Sequence, residues 1–144
     1  MIYLDSCALV KLVIAEKESA ALREHLDTMR AAPVTCELAL TEVIRVTRRS
    51  CYDSQRRLKV SVAEHDERME AAGGLLDRVD RMLVNTPIFL RAGMYAGDPH
   101  VGSLDAIHLV CAQEIGPELM SFVTYDKALA RAAAEAGLPV HQPA

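Results

Sequence analysis

An α/β fold with a short parallel sheet is what this chain predicts, on three observations. Short apolar runs alternate with longer helical patterns from one end of the chain to the other. Such alternation places helices on both faces of a parallel sheet. Hydrophobic residues make up 51% of 144 residues, enough to cover a sheet twice with aliphatic side chains. Two aspartates, Asp5 and Asp126, stand directly after strand-like runs, where open parallel sheets gather their functional groups.

The elements follow in order. Ile2–Leu4 reads as a buried strand, Ala8–Ala15 as an apolar helix and Glu18–Met29 as an amphipathic one. Pro33–Cys36 is a second strand. Glu37–Ser50 is helical because Leu40, Val43, Ile44 and Val46 recur at helical spacing. Val60–Asp80 is a long helix with a polar face, weakened at Gly73-Gly74. Arg81–Val84 is a third strand. Thr86 then caps a helix with Pro87 at its first position. Gly97-Asp98-Pro99 is a loop, and Ser103 caps a helix that Gly116-Pro117 stops after Ile115. Met120–Thr124 is a strand. The helix Lys127–Ala136 ends at Gly137 with Pro139 beyond it, and Val140 begins an edge strand. No repeat interrupts the pattern, and a single domain over residues 1–144 is expected.

Composition excludes several classes. Aromatic residues are 4% and Trp is absent, so the core is aliphatic. No apolar run approaches the ~20 residues of a membrane span. The N-terminus lacks the pattern of a signal peptide, so a cytoplasmic protein is expected. Cys7, Cys36, Cys51 and Cys111 have neither zinc-ribbon spacing nor a small disulfide scaffold around them. They read as small buried hydrophobes. The net charge of −4 argues against capture of nucleic acid by overall charge. Locally the balance reverses. Arg45, Arg48, Arg49, Arg56, Arg57 and Lys59 face one acid, Asp53, over 15 residues. A solvated helix face, a phosphate-contacting patch and a docking surface for an acidic partner all fit.

Most of the 20 acidic residues lie on polar helix faces. Four do not. Asp5 separates two apolar runs, although an N-cap role also fits, with Ser6 as its competitor. Asp105 sits in the first turn of a helix that is apolar nearly all round, where an unpaired carboxylate is expensive. Glu42 interrupts the apolar pattern of its helix, although pairing with Arg45 also fits. Asp126 follows a strand and also fits an N-cap. Four acids at element ends around one sheet suggest a shared site. Converging carboxylates need a cation, and all-oxygen ligands select Mg²⁺ or Mn²⁺. His108 lies three positions after Asp105 and reads either as a satisfied core residue or as a co-ligand. The other histidines have no ligand spacing, which disfavours a zinc hydrolase. A phospho-receiver domain, also α/β, needs a second acid beside the first, and here Asp5 is followed by Ser6-Cys7.

The stretch Tyr3-Leu4-Asp5-Ser6-Cys7-Ala8-Leu9-Val10-Lys11-Leu12 resembles the start of PIN domains, and of VapC-type toxins in particular. Leu40-Thr41-Glu42-Val43-Ile44-Arg45 is similar to their second acidic motif. Ser103-Leu104-Asp105-Ala106-Ile107-His108-Leu109 is similar to the third, and Phe122-Val123-Thr124-Tyr125-Asp126 to the fourth. The order holds along essentially the whole chain. The resemblance implies a three-layer α/β/α sandwich and Mg²⁺- or Mn²⁺-dependent endoribonuclease activity. It implies the toxin half of a toxin–antitoxin pair, dimeric and restrained by a VapB-like antitoxin. It makes Asp5, Glu42, Asp105 and Asp126 the catalytic, metal-holding quartet, with Ser6 and Thr124 supporting it. Arg45, Arg48 and Arg49 become candidate RNA contacts. Cys7 and Cys36 depart from the Ser that many relatives carry.

Overall fold

Strand β1 (Ile2–Leu4) is the shortest statement of the fold: all three of its side chains are fully buried. Only a central strand covered on both faces allows that. The computed structural model describes residues 1–144. After β1 come α1 (Ser6–Val13), α2 (Ser19–Met29), β2 (Pro33–Cys36), α3 (Leu38–Ser50) and α4 (Val62–Arg78). The second half holds β3 (Asp80–Met82), α5 (Thr86–Gly93), α6 (Ser103–Ile115), β4 (Ser121–Val123), α7 (Lys127–Glu135) and β5 (Val140–His141). The five strands are all parallel, in the order β3-β2-β1-β4-β5.

Alternation along β1 sorts the two faces. Ile2 and Leu4, with Val123, pack on α1 to α4 through Leu9, Leu22, Val43 and Leu76. Tyr3 and Phe122 point the other way, onto α5, α6 and α7 through Ile88, Leu109 and Leu129. The result is a three-layer α/β/α sandwich. The chain runs outward from β1 to β2 and β3, and β4 returns to β1's other side. The carboxyl ends of β1 and β4 therefore flank the point where the strand order reverses, which opens a crevice there. No helix is long and apolar enough to cross a membrane.

Several boundaries differ from the sequence expectation. Helix α5 is capped by Asn85, whose Oδ1 accepts from the Ile88 N–H at 3.1 Å, so Thr86 is already helical. Ser103 is likewise inside α6, and Gly102 holds the cap position with no side-chain bond. Gly73-Gly74 does not break α4, which starts after the Ser61 cap and buries Ala72 and Leu76 on either side of the pair. Packing outweighs the low helix propensity of two glycines. Strand β3 begins one residue earlier than expected and stops at Met82, because the next N–H but one, that of Val84, bonds to Glu37 Oε2 at 2.9 Å.

Candidate active site

Each acidic residue of the quartet is placed by a different local device. Asp5 follows β1 and caps α1, its Oδ1 accepting from the Ala8 N–H at 2.8 Å. Its Oδ2 accepts from Thr124 Oγ1 at 2.5 Å, and the Cys7 thiol lies 3.0 Å from both carboxylate oxygens. Asp5 is only 3% exposed. Burial raises its pKa above the ordinary value, and the hydrogen bonds from Cys7, Thr124 and Ala8 oppose that rise. Asp126 follows β4 and caps α7, with Oδ1 accepting from the N–H groups of Ala128 and Leu129. Both capping expectations hold, and both residues still line the crevice. Thr124 joins them: its hydroxyl donates to Asp5 and accepts from the Asp126 N–H at 3.1 Å. It is fully buried and supports the crevice from beneath.

Glu42 comes from α3, on the side of the crevice under α1. It makes no pair with Arg45. Its Oε2 accepts from Ser6 Oγ at 2.5 Å and from His108 Nε2 at 2.9 Å. Burial works against its charge, but the bonds from His108 and Ser6 outweigh it and hold the carboxyl below its ordinary pKa. Asp105 projects from the first turn of α6 and accepts no hydrogen bond from the protein. The bare Cα of Gly102 leaves it room: a Cβ there would stand 3.3 Å from Asp105 Oδ2. Burial and then the charge of Asp126 raise the Asp105 pKa, Asp5 and Glu42 add to the rise, and His108 opposes it.

Asp5, Ser6, Glu42, Asp105 and Asp126 thus open onto one hollow of about 670 Å³. Arg45 and Arg49 stand at its α3 edge, whereas Arg48 faces away from it. No three His, Cys, Asp or Glu side chains close into a ready-made cation cage. The donor set nonetheless fits a hard divalent ion. Both oxygens of Asp105, Oε1 of Glu42 and Oδ2 of Asp126 are free of protein hydrogen bonds, and the three residues line the same hollow. Like charges held together with unused lone pairs are what a cation would neutralise.

The chain matches the PIN domain family model over residues 2–135. It belongs to the PIN-domain family. This PIN domain is 34% identical over 146 aligned positions to Ribonuclease VapC47 of Mycobacterium tuberculosis (strain CDC 1551 / Oshkosh), spanning 99% of this chain and 97% of the relative. It is 35% identical over 142 positions to Ribonuclease VapC46 of strain ATCC 25618 / H37Rv, with the same two coverages. These likenesses make it a PIN domain of the VapC type. The solved structure of Mycobacterium tuberculosis VapC20, described as a sarcin-ricin loop cleaving toxin, superposes with a TM-score of 0.70. That match covers 99% of this chain and all of the other at 15% identity, a likeness of fold.

Two residues of this PIN domain depart from the sequence reading. His108 is buried, but it is more than a satisfied core residue. Its Nδ1 meets the Tyr3 hydroxyl at 2.8 Å while Nε2 reaches Glu42, so it links the core to the acidic hollow. Burial disfavours its charge, yet hydrogen bonds with Cys36 and Glu42 raise its pKa to about 10. The shift favours the imidazolium form of the ring behind the carboxylates. Cys7 is not an inert core thiol either. It is half-buried, lines the hollow, donates toward Asp5 and accepts from the Tyr125 N–H at 3.1 Å. Burial and the Asp5 charge push it up to about 12, so it stays a neutral donor. Cys36, Cys51 and Cys111 are buried as expected. The spacing of Asp105 and His108 was the available signal for the histidine. Nothing local to Cys7 pointed to Asp5 as its acceptor.

Proposed function

We propose that this PIN domain is a Mg²⁺- or Mn²⁺-dependent endoribonuclease and the toxin half of a toxin–antitoxin pair, acting in the cytoplasm. The observation that carries the reading is Asp105: a half-buried carboxylate without a hydrogen bond, facing three other acids across one hollow. Asp5, Glu42, Asp105 and Asp126 would hold the ion, which would supply an activated water and neutralise charge on the phosphodiester. The names of the VapC ribonuclease relatives support the substrate class.

The chain's own groups have distinct tasks in this scheme. The His108 imidazolium keeps Glu42 ionised and fixes its orientation through Nε2. Thr124 and the neutral Cys7 thiol orient Asp5 and keep both its oxygens on the floor of the hollow. Arg45 and Arg49 offer planar cations to the phosphates on either side of the scissile bond. Asp126 Oδ2, at the exposed rim, is placed to accept a proton from a water entering the hollow. Hydrolysis breaks one P–O bond as the water oxygen forms another, the water's proton passes to a rim carboxylate, and the leaving oxygen takes up a proton from solvent.

The same hollow suits inhibition by a VapB-like antitoxin. An Arg or Lys on a disordered C-terminal arm would form charge-assisted bonds with the free carboxylate oxygens, while flanking apolar residues rest on Val10 of α1 and Val46 of α3. Such an arm would exclude RNA and compete with the ion. A homodimer belongs to the reading as well, supported by the exposed Phe89, Leu90 and Met94 on and after α5. The test is cleavage of RNA by the purified protein. Mg²⁺ or Mn²⁺ should restore activity that EDTA abolishes, and cleavage at full rate in metal-free buffer contradicts the proposal.

A further inference from the structure

A second hollow of about 580 Å³ adjoins the acidic one and is lined by Arg45, Arg48, Arg49, Tyr52, Asp53 and Arg56. Arg45 and Arg49 line both. We infer that this arginine hollow is a binding subsite for the phosphates of an unpaired RNA strand flanking the scissile bond. The inference rests on the nuclease reading above and adds where the rest of the substrate lies.

Four guanidiniums share this space and none of them is in an ion pair. Of the eight arginines elsewhere, Arg57, Arg68, Arg91 and Arg131 have a carboxylate partner, and the unpaired Arg23, Arg30, Arg78 and Arg81 line no hollow in common with these four. The hollow's one acid, Asp53, is already occupied from outside it. Its Oδ2 accepts from Arg57 Nε at 3.1 Å, and its Oδ1 accepts from the N–H groups of Gln55 and Arg57. Converging like charges with no counterion form a polyanion site, and this one lies on a chain whose net charge is −4.

The loop after α3 is built to present the fourth arginine. It is closed by Lys59 N–H to Cys51 O and by a bridge between Tyr52 and Leu58. Inside it, Arg56 takes a left-handed backbone, φ 64°. That conformation is unfavourable for a side chain with a Cβ, and the Asp53 bonds to Gln55 and Arg57 hold it on both sides. Arg57 and Lys59, equally basic in sequence, line neither hollow. Tyr52 stands edge-on to His65, ring centroids 6.2 Å apart, and gives the hollow a fixed aromatic wall on which a base can stack. A strand leaving the acidic hollow past Arg45 and Arg49 meets Arg48, Arg56 and Tyr52 next. Base stacking on that wall requires an unpaired nucleotide.

The experiment measures binding of a labelled single-stranded RNA in EDTA over a salt series. Wild type is compared with the double variant Arg48→Gln, Arg56→Gly and with Lys59→Gln. Glycine suits the backbone at position 56, and melting curves verify that each variant is folded. The double variant should bind about tenfold more weakly near 0.1 M salt and lower the log–log salt slope by about 1.4, two contacts at ~0.7 each. Lys59→Gln should stay within about twofold of wild type. An unchanged slope in the double variant, or an equal loss in Lys59→Gln, overturns the subsite. So does loss of binding to a poly-glutamate peptide with the RNA slope intact, which would assign the hollow to an acidic protein. Failure of wild type to cleave RNA with Mg²⁺ is a separate result: it removes the nuclease reading, whereas the slope decides the subsite.

Discussion

Asp5 and Asp105 face the same hollow, and they are held in opposite ways. Every oxygen of Asp5 is engaged, by Ala8, Thr124 and Cys7. Asp105 has no hydrogen bond at all and sits among like charges. Folding accounts for the first, since an N-cap and a buried hydroxyl need that carboxylate. Folding does not account for the second, because a half-buried charge with no protein partner, set among like charges, destabilises the chain that carries it. The contrast separates acids that build the site from an acid kept in place for what binds there.

Breaking that contrast should have its largest effect at Asp5. Asp5→Ala removes the cap of α1 and leaves the Thr124 O–H and the Cys7 S–H without their carboxylate acceptor. A loss of about 2 kcal/mol is expected, read as a lowered denaturation midpoint, together with loss of activity. Asp105→Ala should show no such loss. Equal destabilisation by the two would erase the distinction.

Metal addition should sharpen it. If the ion binds only the folded state, Mn²⁺ at about 100 times its Kd should stabilise wild type by about 2.7 kcal/mol. The rise in melting temperature should disappear in Asp105→Asn, and a rise that survives there would place the ion elsewhere.

The next effect is on pH. The folded-state pKa of His108 is raised from 6.5 to about 10. Its contribution is therefore fully present below pH 6.5 and is lost as pH rises through about 10. His108→Gln should flatten the alkaline fall in stability over that window, so urea melts of the two proteins should converge at high pH. Asp5 and Asp105 act with the same sign, in a lower pH window. Their raised pKa values mean that protonation stabilises the fold, so the apo protein gains stability as pH falls through those values toward 3.8. The smallest effect is expected at Asp126→Asn. Asparagine caps a helix as well as aspartate does, so stability should change by less than about 0.5 kcal/mol while cleavage slows. A large stability loss would mean that the Asp126 charge serves the fold.

The comparison also marks what the sequence could carry. Asp5 and Asp126 were legible because a strand ends just before each, and a parallel sheet turns strand ends into a map of the crevice. Glu42 and Asp105 were legible as charges out of place in apolar helical patterns. His108 was legible only through its spacing from Asp105, because its partner Glu42 lies 66 positions away in a helix on the opposite face of the sheet, and only the completed fold brings the two within 2.9 Å. The separation of Arg48 and Arg56 from Arg57 and Lys59 was invisible. It depends on the left-handed turn at Arg56, and composition counts all of them alike. The caps of α5 and α6 were each misplaced by one residue, because Asn85 or Thr86, and Gly102 or Ser103, satisfy the same local rule.

The central claim is that Asp105 is held against the fold's interest for a bound ion and its reaction. Asp105→Asn tests it most directly, with RNA cleavage in Mg²⁺ and the metal-free melting temperature measured on the same preparation. The account predicts that cleavage falls by at least about 100-fold, the scale on which a group acting at the reacting phosphate is missed, while the melting temperature stays level or rises. A variant that still cleaves RNA but melts several degrees lower would contradict it.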